Sequence, residues 1–288
     1  MLRSYPAKIL LFGEHTVLRG GRGLAVPYHR LNLRWEQDQP DERLLQFCDY
    51  LQTAIPTWAL NAGALESFLL TNWRLAGNIP TGYGLGSSGA VCAAIWDRFA
   101  TDHGKALQGE DLRKMLARME QHFHGSSSGT DPLICYLQQP VILGGNQPPR
   151  MVPLAAGWDK GFFLVDTGRT RSAASYINTF TQRYDQETAF RQEVDTNWRE
   201  PADRACEALI TGDRASLVTA MRKISNFQLR EISQFIPPTF HVRWLHESYI
   251  LKICGAGGGG VLLGLSHDRQ ATERALGEVW WLEENSNE

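Results

Sequence analysis

Cysteine is scarce in this chain of 288 residues, net charge is almost absent, and no apolar run is long enough to cross a membrane. Each shortage removes a class of function. The five cysteines (Cys48, Cys92, Cys135, Cys206, Cys254) are odd in number and scattered, with no CxxC pair. That pattern argues against a disulfide framework or a thiolate zinc site and for reduced, buried thiols. Lys and Arg total 29 against 31 Asp and Glu, a formal net charge of -2. No long-range field then attracts nucleic acid or an anionic membrane, and any anion site must be local. The apolar stretch in MLRSYPAKILLFGEH is too short for a signal sequence, and nothing approaches the roughly 18 apolar residues of a membrane span. A soluble, cytoplasmic protein is expected, with neither nucleic acid nor membrane as partner.

What the chain does have is core-forming material, 43% of its residues being hydrophobic. No internal repeat or low-complexity tail interrupts it. Periodicity predicts strands at 8–12, 24–35, 73–79 and 140–143, and helices at 43–54, 60–70, 91–103 and 111–123. After Gln147-Pro148-Pro149, a plausible seam, come strands at 162–166, 249–253 and 261–265 and helices at 185–198, 217–235 and 271–279. Strands and helices mix without regular βα alternation, which predicts an α+β fold. The expected domains are 1–148 and 149–288.

Two glycine-rich segments stand out. In GYGLGSSGA, the residues Gly84, Leu85, Gly86, Ser87, Ser88 and Gly89 lead from a strand into a helix. Small residues let backbone approach a ligand, and the helix N-terminus adds unsatisfied N–H donors for phosphate. No Lys follows the last glycine, so this is not a Walker A loop, and the flanking βαβ unit of a dinucleotide site is missing. On its own the segment has a lesser alternative reading, a serine-capped strand-to-helix turn. The run GAGGGG at 255–260 lies between two apolar strands. So many glycines carry an entropic cost that some close approach or unusual backbone angle must require. A second anion-cradling loop and a flexible hairpin are both open readings of it.

Carboxylates complete the set. Glu120 and Asp131 frame EQHFHGSSSGTD, and phosphoryl transfer needs carboxylate to hold magnesium and to receive or orient a hydroxyl proton. Two surface charges would look the same without the glycine loops. His122 and His124 lack a third ligand and read as packing or loop-anchoring residues. Lys8 opens the first strand, and Glu14 and His15 follow it.

In this order the segments resemble the GHMP kinases. PAKILLFGEHTVLRG looks like their first motif, IPTGYGLGSSGAV like their ATP-binding second motif, and KICGAGGGGVLLGL like their third. HGSSSGTD is similar to the stretch that carries the catalytic aspartate in the mevalonate kinase branch. The matches span residues 6–264. The resemblance implies an N-terminal domain related to ribosomal protein S5 domain 2 and a ferredoxin-like C-terminal domain, with ATP and substrate between them. It further implies Asp131 as catalytic base or orienting group with Lys8 as partner, and Ser88 and Glu120 as magnesium ligands. Glu14 and His15 would border the substrate, while the loop at 84–89 and Gly257 and Gly258 would bind ATP. The implied reaction moves the γ-phosphate of Mg-ATP to an alcohol.

Val17 follows GEHT where galactokinases carry an acid, and Asp131 is present where homoserine kinases lack it. Together with ISNFQLREISQFIPP, these features are closest to compact bacterial mevalonate kinases, which implies the 5-hydroxyl of mevalonate. A kinase for a sugar or for phosphomevalonate, and a non-catalytic protein of the same fold, are the alternatives, and a homodimer is left open. Gly89 stands where the motif more often has Ala, and Ala173 in TRSAAS stands where mevalonate kinases tend to carry Thr.

Overall fold

The computed structural model describes residues 3–145, 147–170 and 173–283. Strands and helices mix as an α+β protein, in two compact units. One unit takes in the chain up to Lys8 together with Pro27–Pro80 and Gly86–Gln139. The other takes in Ile9–Val26, Thr81–Leu85 and the chain from Pro140 onward.

In the first unit, the far end of the long strand β2 (Arg22–Gln37) pairs antiparallel with β3 (Trp73–Gly77), Leu33 opposite Gly77 and Gln37 opposite Trp73. Six helices accompany it: α1 (Glu42–Ala54), α2 (Ala62–Leu69), α3 (Ser87–Phe99), α4 (Asp102–Lys105), α5 (Gly109–His124) and α6 (Thr130–Leu137). Their starts are legible in side chains. Asp41 accepts from the N–H groups of Arg43 and Leu44 at the head of α1, and Asn61 accepts from Ala64 N at the head of α2. Such caps satisfy donors that the helix itself cannot. The helix expected at 91–103 is two. It begins at Ser87 and stops at Phe99, because Ala100 turns extended and Thr101 caps a fresh turn through Gly104 N. Helix α5 buries Leu112, Met115, Leu116 and Met119 on one face and ends at Gly125, which takes the left-handed conformation (φ 72°). The segment after HGSSSG, to which periodicity assigned no element, is α6.

In the second unit, β4 (Val141–Gly144) pairs with the near end of β2 and with β5 (Arg150–Met151). The strand order of this sheet is β1-β2-β4-β5, β1 being Ser4–Phe12, with β3 also on β2. A second sheet is built from β6 (Phe162–Asp166), β7 (Tyr249–Ile253), β8 (Val261–Ser266) and β9 (Trp280–Trp281), in the order β7-β8-β6-β9, every pair antiparallel. Counted from β6, that order is 2-3-1-4, the arrangement of a ferredoxin-like sheet. Between β6 and β7 run α7 (Ala173–Gln186), α8 (Thr188–Val194), α9 (Glu200–Thr211) and α10 (Arg214–Glu231); α11 (Arg269–Leu276) joins β8 to β9.

The single helix expected at 185–198 is broken. Glu187 is extended, and a π turn at Asp195–Arg199 is held by Tyr184 and Arg199, which both donate to the Asp195 carboxylate. Gly212 (φ 83°) ends α9, and Asp213 caps α10 through Ser216 N. Phe162, Phe163, Leu164, Tyr249, Leu251, Ile253 and Leu263 form the core of the second sheet. All five cysteines are buried thiols. Among the described residues no helix is long and apolar enough to cross a membrane. Arg171 and Ser172 of TRSAAS lie outside the described residues, and Ala173 begins α7.

Candidate active site

Four of the sequence-predicted residues meet in the first unit. The Lys8 ammonium lies 3.1 Å from Asp131 Oδ1, joining β1 to the first turn of α6. Lys8 is buried, which is unusual for a lysine without such a partner. Glu120, on the inner face of α5, is 5% exposed. Ser88 Oγ donates to its Oε1 at 2.9 Å, and Ser127 Oγ donates to its Oε2 at 2.5 Å. Ser127 Oγ in turn accepts from Gly129 N, 2.9 Å away. His124 Nε2 is 3.1 Å from Ser88 Oγ, a contact served by the Nε2–H tautomer while Ser88 donates to Glu120. Arg113, paired with Glu110, donates to the Ser128 carbonyl and ties the same loop to α5.

Burial pushes the Glu120 carboxyl up to about 7, and the neighbouring Asp131 carboxylate pushes in the same direction. The Ser127 and Ser88 hydroxyls and the Lys8 charge oppose the rise without cancelling it. A buried acid next to another acid and a hydroxyl is a site where a cation would repay the cost of ionisation.

Helix α3 begins at Gly86, in the left-handed conformation (φ 76°), with no side chain capping it and no acid in its first turn. The unsatisfied N–H groups and the positive dipole end are therefore available to an anion. Gly86 is required twice over, since a Cβ there would also meet Lys8 Cγ at 2.9 Å. At Gly89 a Cβ would come within 2.8 Å of the Asp131 carbonyl carbon and of Pro132 N. The glycine that departs from the family pattern is thus what lets α3 lie against the segment carrying Asp131.

Glu14, His15, Gly257 and Gly258 lie in the second unit. Glu14 and His15 are buried, and His15 holds a left-handed backbone (φ 57°). His15 Nε2 donates to the Ala256 carbonyl at 3.0 Å, and its ring sits among Phe180, Trp198 and Phe235. Glu14 pairs with Lys252. In the run at 255–260, Gly255, Gly257, Gly258 and Gly260 all have positive φ. Gly258 N donates to the Phe235 carbonyl and Gly260 N to the Arg169 carbonyl, each at 2.6 Å. A side chain at Gly258 would run into the Tyr176 ring, and one at Gly260 into the Tyr83 carbonyl. The loop is held closely rather than flexible. Gly84 and Leu85 belong to this unit, while Gly86, Ser87, Ser88 and Gly89 belong to the first.

Sequence reading did not single out Ser127 or Lys252. Ser127 is one of three adjacent serines, and nothing in the chain marks which one faces Glu120. Lys252 offered a signal, a lone charge inside the apolar strand YILKI. His124, read as loop-anchoring, does anchor, and its anchor is Ser88.

Residues 50–139 match the family model described as the GHMP kinases N terminal domain. Those residues carry a GHMP kinase N-terminal domain, and with its curated relatives this makes the chain a phosphotransferase with an alcohol acceptor. Its curated relatives are mevalonate kinases, archaeal rather than the bacterial ones the motifs suggested. That of Archaeoglobus fulgidus is 27% identical, covering 92% of this chain and 92% of its own length. That of Pyrococcus horikoshii is 24% identical over 94% of this chain and 90% of its own. The crystal structure of L. major mevalonate kinase in complex with R-mevalonate superposes with a TM-score of 0.61. It shares 19% identity and covers 97% of this chain and 94% of that one, a likeness of fold.

Proposed function

We propose that this chain transfers the γ-phosphate of ATP to the 5-hydroxyl of mevalonate. The observation that carries the reading is the Lys8–Asp131 pair beside the uncapped start of α3, which brings a carboxylate, a cation and phosphate-binding amides into one site. The curated relatives, all mevalonate kinases over nearly the full chain, supply the choice of alcohol.

In this reading the amides at the start of α3 and the loop Gly84, Leu85, Gly86, Ser87, Ser88 and Gly89 hold phosphate oxygens. The tightly held glycines Gly257 and Gly258 shape the phosphate side. Asp131 accepts the hydrogen bond of the attacking hydroxyl and takes its proton as the new O–P bond forms and the bond to ADP breaks. Lys8 stabilises the negative charge gathering between Asp131 and the transferring group. The turn at Glu14 and His15 forms the substrate-side wall. Residues 1–148 act as the half carrying the catalytic pair and 149–288 as the ferredoxin-like half, in the cytoplasm.

The donors present fit a magnesium ion. Among the described residues no group of three metal-binding side chains occurs, but Mg2+ bound with a nucleotide needs only one or two protein carboxylates beside the phosphates. Ser88 Oγ and Glu120, hard oxygen donors in contact with each other, meet that need. Bound there, the ion would neutralise charge on the ATP phosphates.

ADP release with Mg-ATP against mevalonate, phosphomevalonate, galactose and homoserine tests the reading. Turnover with mevalonate alone supports it. Turnover with another member keeps the kinase and discards mevalonate, and silence across the panel defeats both.

A further inference from the structure

Lys252 is the least expected charge in the second unit. It stands in the middle of β7, its side chain wholly buried, over the Phe12 ring at 5.4 Å. Its ammonium donates to Glu14 Oε1 and, at 2.8 Å, to the Ile253 carbonyl. The Glu14 side chain is likewise wholly buried. A lone ammonium or carboxylate cannot be held in such a place without its partner.

Further bonds run alongside this one. His15 bonds the Ala256 carbonyl, the Cys254 thiol lies 3.7 Å from the Leu10 carbonyl, and Ile253 N donates to the buried Gln228 side chain. The turn at Gly13, Glu14 and His15 is therefore fastened to the end of β7 just where the glycine run departs. Gly13 itself is pinned, since a Cβ there would meet Gly23 Cα at 2.4 Å. The backbone is left-handed at 13 and 15, and the Glu14 carboxylate is a polar handle between them.

We propose that Lys252 is a positioning residue for phosphoryl transfer, acting through Glu14 to fix the Glu14–His15 turn against the glycine run. It rests on the reading of that turn as the substrate-side wall. Glu14 serves substrate recognition by holding the backbone and His15 in place, and its carboxylate is spent on Lys252.

Lys252→Met, Glu14→Gln and the double variant, compared with wild type by thermal melting and steady-state kinetics, test this. Lys252→Met leaves a buried carboxylate alone and lowers the melting temperature; the double variant buries no lone charge and recovers it. The KM for mevalonate rises about tenfold or more in each single variant, while the KM for ATP changes less. In the double variant the KM for mevalonate stays as high as in the worse single variant, because both residues act through one contact. Recovery of both melting and KM in the double variant would make the pair structural only and overturn the proposal. Multiplied KM effects would overturn it too, by showing independent contacts. If Lys252→Met does not fold, Glu14→Gln and the double variant still carry the comparison. A wild type that turns over no alcohol defeats the kinase reading and with it the role in phosphoryl transfer, leaving the positioning of the glycine run to be tested by itself. Amide exchange at 255–260 then decides, faster in the double variant if Lys252 positions the run and unchanged if it does not.

Discussion

The ammonium of Lys8 sits 3.1 Å from Asp131 Oδ1, with the lysine side chain 8% exposed and the aspartate 33% exposed. The cation is thus fixed and enclosed while part of the carboxylate stays open to an incoming group. An ion pair whose purpose was stability alone would gain little from that asymmetry. Lys8→Met, which keeps the side chain's length and removes its charge, is expected to lower kcat by about a hundredfold or more. The KM for ATP should change little. Steady-state kinetics check this, and equal losses in kcat and ATP affinity would point to a simple binding role.

Glu120 sets a pH dependence whose sign follows from its raised pKa. Its carboxyl titrates near 7 in the folded chain and at its ordinary value of 4.5 when unfolded. Between those values the folded state holds a proton that the unfolded state has lost. Stability conferred by the neutral form is therefore complete below about 4.5 and lost as pH rises through about 7, roughly 3 kcal/mol in all. Melting without metal is expected to fall over that window, and Glu120→Gln should flatten it and raise the melting temperature at pH 8. The same variant should weaken Mg2+-dependent turnover, the signature of a carboxylate kept for a ligand rather than for stability. An unchanged pH profile in Glu120→Gln would show that the burial of this group has no such consequence.

Gly89→Ala tests the approach of α3 to α6. A methyl at that position has to displace the backbone at Asp131 and Pro132, which overpacking makes costly by about 1–3 kcal/mol. The variant should remain folded, with kcat reduced more than the KM for ATP, since the aspartate moves relative to the phosphate-binding turn. Kinetics at wild-type level in this variant would show that the approach is not part of the site.

Much of this was legible in the chain, and the reasons differ by residue. The strands at 162–166 and 249–253 agree with expectation to the residue, because they are short apolar runs rich in aromatic and β-branched residues. Helix α6 was hidden by Gly129, Pro132 and its short length, and the four-part region from α7 to α9 by continuous helical periodicity across breaks. The π turn at Asp195–Arg199 carries contacts to the Asp195 side chain that no local pattern announces. In the candidate site, Lys8, Ser88, Glu120 and Asp131 were named through motif order, and the structure brings them together. Their mutual distances, and the role of Ser127, depend on how α3, α5 and α6 pack. Gly89, which stands where the motif more often has Ala, is a packing requirement in the structure.

The glycine run carries its own expectation. Gly258→Ala places a side chain at a positive φ and against the Tyr176 ring, and Gly260→Ala places one against the Tyr83 carbonyl. Strain of this kind costs of order 1–3 kcal/mol at each position. Both variants should melt earlier than wild type. Because a ring can swing aside more readily than backbone, Gly260→Ala should be the more damaging. The reverse order would mean that Tyr176 is the less yielding neighbour.

The most direct test of the account is the initial rate of phosphomevalonate formation, followed by phosphorus NMR, for wild type and Asp131→Asn side by side at saturating Mg-ATP. The account predicts product with wild type and a rate lower by about two to four orders of magnitude with the variant, at an ATP affinity near wild type. Wild-type rates in Asp131→Asn, or no phosphomevalonate from wild type, would contradict it.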